Sequence, residues 1–245
     1  MILAVIPARY DSTRFPGKPL ALLCGKPMIQ WVYERTKLCV SLDVVVVATD
    51  DERIARAVAD FGGSIVMTSR DHATGTDRVA EVARHYPDAE VVVNVQGDQP
   101  MIHSAVLDAL IQPFREALPP DMSTIACPFA SESNRADCNC VKVVCDQRGR
   151  ALYFSRAALP FFRNEVDVPV YHHLGLYAFR AAFLQQYSGL APTPLEQCES
   201  LEQLRVLEHG HSIHVSLVDW PMLEVNTPEE LTTAEDYMMQ NNVQW

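Results

Sequence analysis

The chain opens on a short apolar run, residues 2–6, that ends at Pro7-Ala8-Arg9. From there, brief β-branched runs bounded by turn residues alternate with segments whose apolar positions recur three and four apart. Residues 2–6, 43–48, 64–67 and 91–95 read as strands, with helices between them near residues 27–39, 52–61 and 76–85. Near-continuous apolar strands separated by amphipathic helices predict an α/β fold: a mostly parallel sheet covered by helices on both faces. The first half reads as doubly wound. A further helix is expected over 104–117. The pattern then loosens, with strands over 123–128, 141–145, 151–155, 173–179 and 212–218 that suggest antiparallel additions to the sheet. A last periodic stretch, 195–209, reads as one helix. There is no internal repeat and no low-complexity tract, and Leu118-Pro119-Pro120 marks a seam.

Composition narrows the partners. Against 31 Asp and Glu the chain carries 20 Lys and Arg, a formal net charge of −11, so a general attraction to nucleic acid or to an anionic membrane is not expected. With 245 residues, 48% of them hydrophobic, a substantial core in one compact unit is expected. No apolar run approaches the roughly 18 residues of a membrane helix, and no secretory leader is evident, so a cytoplasmic protein is expected. Seven cysteines, an odd number without a secreted-scaffold spacing, read as reduced and mostly buried thiols. Cys138-Asn139-Cys140 has no second pair to complete a metal site.

Within this acidic chain, the loop after the first strand holds Arg9, Arg14 and Lys18 with a single acid, Asp11. Ligands of open α/β sheets gather at the carboxyl ends of strands. Three cations there, among small residues Ser12, Thr13 and Gly17 that leave backbone amides accessible, suit a polyphosphate. A solvated loop with incidental charge is the alternative. Neither a dinucleotide fingerprint nor a P-loop occurs. Asp98, in Gln96-Gly97-Asp98-Gln99-Pro100 after the fourth strand, should emerge at the same edge. There it could hold Mg²⁺ against phosphate oxygens or simply be a turn residue. Asp71 to Arg78 is a polar turn into a helix, where the amides of Gly75 and its neighbours could read a base edge or cap the helix.

Later in the chain, Cys198, Glu202 and Val206 fall in one helical row, leaving Glu202 in need of a ligand or an arginine such as Arg205. His172 and His173 should point to opposite faces of a strand. Val225-Asn226-Thr227-Pro228-Glu229-Glu230 reads as turn and helix start, with Thr227 as cap and Glu230 completing a capping box.

Taken together, these blocks resemble the 3-deoxy-manno-octulosonate cytidylyltransferases, which make CMP-Kdo for lipopolysaccharide. The resemblance runs through Ile6-Pro7-Ala8-Arg9-Tyr10, Ser12 to Leu20, Gly75-Thr76-Asp77-Arg78, Asn94-Val95-Gln96-Gly97-Asp98, Ala151 to Arg156, His173-Leu174-Gly175 and Leu201 to Arg205, in the family's order and over nearly the whole chain. It implies a Rossmann-like nucleotidyltransferase fold, one domain over residues 1–245. Within it, about 1–118 would form a CTP-binding half and about 119–245 a smaller mixed half for sugar binding and homodimerisation. The implied reaction is attack of the sugar's anomeric hydroxyl on the α-phosphate of CTP, with release of pyrophosphate.

By that likeness Arg9, Ser12, Arg14 and Lys18 would hold the triphosphate, Gly75, Thr76 and Arg78 would help place the cytidine, Gln96 would contact the nucleotide, and Asp98 would bind Mg²⁺. Arg156, His173, Tyr177, Glu202 and Gln203 contact the sugar, and Arg9, Lys18 and Asp98 carry the chemistry. Two positions depart from the family pattern. Gln99 stands where Glu is usual, and Asn226 stands where the family has its second metal-binding Asp, so the metal site loses a negative charge. The sugar itself could be Kdo or 8-amino-3,8-dideoxy-manno-octulosonate (8-amino-Kdo). A nucleotide-binding regulator without turnover is the non-enzymatic alternative.

Overall fold

The computed structural model describes residues 1–11, 14–129, 132–164, 166, 168–219 and 224–241. Its contacts divide the chain into two compact units, Met1–Leu107 with Met222–Trp245, and Asp108–Pro221. The division therefore falls before the seam expected near residue 118, and the C-terminal stretch belongs with the N-terminal unit.

The first unit contains β1 (Ile2–Ala8), a small hairpin of β2 (Leu22–Leu23) and β3 (Lys26–Pro27), α1 (Met28–Lys37), β4 (Val44–Thr49), α2 (Glu52–Asp60), β5 (Ile65–Met67), α3 (Gly75–Ala83) and β6 (Val91–Asn94). β1 lies between β4 and β6, and β5 flanks β4, all parallel. The apolar runs explain this order: Leu3 to Ile6, Val46 to Ala48 and Val92–Val93 are fully buried, as strands covered on both faces must be. α4 (Ser104–Ile111) is shorter than expected from its pattern and tightens into a 3-10 turn over Gln112–Arg115. Pro113 in that turn lacks the N–H that would continue the α-helix.

The second unit is mixed. It holds β7 (Met122–Pro128), α5 (Glu132–Ala136), β8 (Lys142–Cys145), β9 (Ala151–Ser155), β10 (Tyr171–Arg180), α6 (Ala181–Tyr187), α7 (Pro194–Glu199), α8 (Gln203–Glu208) and β11 (Ile213–Leu217). β7 pairs antiparallel with β10 and parallel with β11, and β8 joins β10 to β9 in antiparallel ladders. β10 bulges between His173 and Tyr177. Gly175 in the bulge takes φ 65°, a backbone region that costs little only without a Cβ.

The single helix expected over 195–209 is two. Ser200 adopts a left-handed conformation (φ 51°, ψ 50°) and ends α7, and Glu202 then precedes α8 without a side-chain cap. The i,i+4 row of Cys198, Glu202 and Val206 is therefore broken. The Arg205 N–H donates to the Glu202 carbonyl at 3.2 Å, and its side chain turns back toward α7. Its Nε and Nη2 grip both oxygens of Glu196, at 2.8 and 2.6 Å.

The last helix, α9 (Pro228–Gln240), returns to the first unit. Val225, Ala234 and Met238 cluster there with Leu23, Met28 and Trp31, which draws the segment before α9 to the site described below. Thr227 accepts from the Glu230 N–H as the expected cap. The Glu230 carboxylate reaches the N–H of Asn226, one residue before the cap, at 2.6 Å.

The thiols are less buried than expected: Cys39 and Cys127 are buried, but Cys24, Cys138 and Cys198 are exposed. Among the described residues no helix is long and apolar enough to cross a membrane.

Candidate active site

In the first unit, two segments converge on Pro7 at the carboxyl end of β1. A Cβ added to Gly97 would come within 3.1 Å of the Pro7 carbonyl, and one added to Gly75 would rest 3.5 Å from its ring. Glycine at 97 is what lets the Asp98 loop approach the backbone this closely. Arg9, Asp98 and the start of α3 thus share one sheet edge, as the sequence suggested.

Lys18 joins this edge through its side chain. Its Nζ lies 3.0 Å from Asp98 Oδ2 and 3.2 Å from Asn226 Oδ1, and Arg14 Nη2 reaches the same Asn226 oxygen at 3.5 Å. The backbone fixes the third partner: Val225 N–H donates to the Asp98 carbonyl at 2.9 Å, while the Val225 side chain is fully buried. A carboxylate and an amide oxygen therefore already converge on one cation, the Lys18 ammonium. Oxygen donors of this kind fit a hard divalent ion whose other ligands are phosphate oxygens.

Arg9 has a second commitment. Its Nη2 donates to the carbonyls of His72 and Thr74, at 2.6 and 3.0 Å, which fastens the turn before α3 to the end of β1. That turn is itself ordered by a capping box: Thr74 accepts from the Asp77 N–H, and Asp77 Oδ2 accepts from the Thr74 N–H. Capping is thus present at the turn before Gly75, alongside whatever the amides of that turn contact.

Thr76 and Arg78 are buried at 1% and 0% exposure. Arg78 Nη1 donates to Thr68 Oγ1, and its Nη2 is 3.3 Å from Asp50 Oδ1. Asn94 Nδ2 donates to Thr76 Oγ1 at 3.3 Å. Among the described residues, Arg78 Nε and Asn94 Oδ1 are buried without a hydrogen-bond partner, an arrangement that favours a polar ligand with both donors and acceptors. Burial lowers the Arg78 pKa while Asp50 acts in the opposite sense. A cavity of about 370 Å³ opens beside Arg9, with Asp50, Arg53 and Arg70 in its wall. Gln96 lies at intermediate burial in the loop after β6. Ser12 lies outside the described residues.

In the second unit, three of the five residues expected at the sugar form one buried chain. Tyr177 O–H donates to Gln203 Oε1 at 3.0 Å, and Gln203 Nε2 contacts His173 Nδ1 at 3.4 Å. His173 Nε2 lies 2.9 Å from Thr124 Oγ1, whose own proton goes to the Leu176 carbonyl. With that hydroxyl proton already used, His173 must donate from Nε2 and accept at Nδ1, which assigns its tautomer. Burial lowers the His173 pKa to about 3, so the ring is neutral, and burial raises Tyr177 well above its ordinary value. On either side of the bulge His173 and Tyr177 pair in register with Ala126 and Thr124 of β7, and their rings lie 5.6 Å apart. His172 instead stacks on Phe129, so the two adjacent histidines do face apart.

Arg156 is held by its surroundings. Its Nε donates to the Glu199 carbonyl at 2.8 Å, its Nη1 to that of Cys138 at 3.1 Å, and its N–H to Glu199 Oε2 at 2.8 Å. Lys142, fully buried, donates to the carbonyls of Asp137, Cys140 and Arg156. Glu202 is partly buried, and its carbonyl accepts from Tyr187 O–H at 3.3 Å.

Sequence reasoning missed Asp50, Lys142, Glu199 and Glu224. Glu224 Oε1 is 3.5 Å from Gln99 Nε2, and its Oε2 is 3.5 Å from Asn226 Nδ2. The residue is exposed, yet its carboxyl is hemmed in enough that desolvation, with Asp98 nearby, holds it above the usual carboxylate range. No periodic signal marks it. Only its place two residues before Asn226 could have drawn notice.

Residues 3–213 match the family described as cytidylyltransferase. The 3-deoxy-manno-octulosonate cytidylyltransferase of Acaryochloris marina is 57% identical, covering 98% of each chain, and that of Synechococcus elongatus is 54% identical with the same coverage. Among solved structures, a CMP:2-keto-3-deoxy-manno-octonic acid synthetase complexed with CTP superposes with a TM-score of 0.93 at 42% identity, covering 98% of this chain and 99% of that one. A 4-diphosphocytidyl-2C-methyl-D-erythritol synthase from Anaerococcus prevotii shares the fold at 15% identity and a TM-score of 0.64. With likeness at this level from end to end, the chain belongs to the 3-deoxy-manno-octulosonate cytidylyltransferase family.

Proposed function

We propose that this protein transfers CMP from CTP to the anomeric hydroxyl of 3-deoxy-manno-octulosonate, giving CMP-Kdo and pyrophosphate. The observation that carries the reading is the near-complete superposition on the synthetase complexed with CTP. The convergence of Arg14, Lys18, Asp98 and Asn226 at one sheet edge supports it chemically.

In the reaction a bond forms between the sugar oxygen and the α-phosphorus, the bond from that phosphorus to the bridging oxygen of pyrophosphate breaks, and the hydroxyl proton leaves to solvent. The triphosphate carries about four negative charges, so the protein's task is mainly to neutralise and position them in advance. Arg9, Ser12, Arg14 and Lys18 bind the triphosphate. Gly75, Thr76, Arg78 and Gln96 seat the cytidine, for which the unpartnered Arg78 Nε and Asn94 Oδ1 supply a donor and an acceptor. Asp98 and Asn226 would hold a divalent cation, Mg²⁺, which would supply charge neutralisation at the phosphates. Lys18, whose ammonium bonds these two oxygens in the structure, contributes a further positive charge to the triphosphate.

Arg156, His173, Tyr177, Glu202 and Gln203 recognise the sugar acid, with the neutral His173 chain providing a rigid wall and Arg156 the charge opposite its carboxylate. The residues assigned to nucleotide and metal fall in Met1–Leu107 with Met222–Trp245, and those assigned to sugar fall in Asp108–Pro221. We assign the protein to the cytoplasm as a homodimer, acting in lipopolysaccharide synthesis.

Pyrophosphate release measured with each of the four nucleoside triphosphates, Kdo and Mg²⁺ tests the assignment. CTP should support turnover far above the other three. Faster release with another nucleotide would overturn it, and CTP binding with no release would mark a nucleotide-binding regulator instead.

A further inference from the structure

The side-chain amide of Asn226 has two ends of nearly equal shape and opposite polarity, so its neighbours decide which end faces the cations. Its oxygen faces Lys18 Nζ at 3.2 Å and Arg14 Nη2 at 3.5 Å. Its nitrogen faces Glu224 Oε2 at 3.5 Å. A turn of the amide would set its NH₂ against two cations and its carbonyl against a carboxylate, replacing three attractive contacts with repulsive ones.

Glu224 is itself held in place. Its other oxygen meets Nε2 of Gln99, a residue 1% exposed in the Asp98 loop. The intervening Val225 is buried, and its N–H is bonded to the Asp98 carbonyl. The segment carrying both Glu224 and Asn226 is therefore registered against Asp98 through backbone and side chain together.

We propose that Glu224 is a positioning residue, which fixes the Asn226 amide with its carbonyl oxygen toward the cation between Asp98 and Asn226. The inference rests on the reading of Asn226 as a ligand of the divalent ion. It assigns to Glu224 a task that an aspartate at 226 would not need, because either oxygen of a carboxylate can face a cation. An asparagine works there only when something holds its nitrogen on the far side.

The test uses Mn²⁺ as the probe, titrated into the full chain with CTP and no sugar and followed by electron paramagnetic resonance. Glu224→Ala should weaken Mn²⁺ binding by about tenfold, the scale of losses when partners of metal ligands are removed, without moving the thermal midpoint in the absence of metal. In the Asn226→Asp background the same change should have little effect. Equal weakening in both backgrounds, or no weakening in the native one while Asn226→Asp tightens binding, would overturn the proposal. If Asn226→Asp and Asn226→Ala both leave Mn²⁺ binding unchanged, the reading of Asn226 as a ligand fails first. Should Glu224→Ala not fold, Glu224→Gln retains one acceptor oxygen and should show a smaller loss with the same dependence on residue 226.

Discussion

At His173 the structure turns a sequence ambiguity into a stated protonation state. Its Nε2 proton is committed to Thr124, its Nδ1 accepts from Gln203, and burial holds its pKa near 3. An unfolded histidine titrates near 6.5. Above that pH both folded and unfolded rings are neutral, and His173 adds no pH dependence. As pH falls from about 6.5 toward 3, the unfolded chain takes up a proton that the folded one refuses, so stability is lost across that window. The expected slope is up to about 1.4 kcal/mol per pH unit for one proton. Urea unfolding of the native protein and of His173→Gln between pH 7.5 and 5 measures it: the native protein should lose stability more steeply, and parallel slopes would contradict a neutral buried ring. The identity of such residues was legible in the sequence, but not their partners. Gln99 and Glu224 lie 125 residues apart, and nothing in local pattern connects them.

Elements were read best where local chemistry alone decides them. The apolar runs at β1, β4 and β6 and the cap of α9 at Thr227 follow from residues within a few positions of one another. The helices α7 and α8 show the opposite case. Their apolar spacing continues across residues 200–202, but a buried pair between Arg205 and Glu196 and a left-handed Ser200 divide them, and the former is a tertiary contact that periodicity does not register. A non-glycine residue in this region costs roughly 1–2 kcal/mol of local strain. Ser200→Gly should therefore raise stability by up to about 1 kcal/mol, the larger freedom of unfolded glycine offsetting part of the gain. Chemical denaturation reads this directly, and a lower midpoint with an unchanged slope would show that the Ser200 side chain contributes more than its backbone geometry costs.

Over the whole molecule, the charge pattern was easier to read along the chain than the chain's divisions. A net charge of −11 with cations gathered at one strand end pointed to a small anion, and Arg14 and Lys18 meet Asp98 and Asn226 there. The return of the C-terminal segment to the first unit was not visible, since it depends on Val225, Ala234 and Met238 finding Leu23, Met28 and Trp31 across two hundred residues of chain, roughly the full length of a domain of this size. The residues at that strand end together serve CMP transfer from CTP to Kdo. Steady-state pyrophosphate release with CTP and Mg²⁺, comparing Kdo with 8-amino-3,8-dideoxy-manno-octulosonate, tests it most directly. Turnover should show the higher kcat/KM for Kdo; a higher value for the amino sugar, or no release with either, would overturn the assignment.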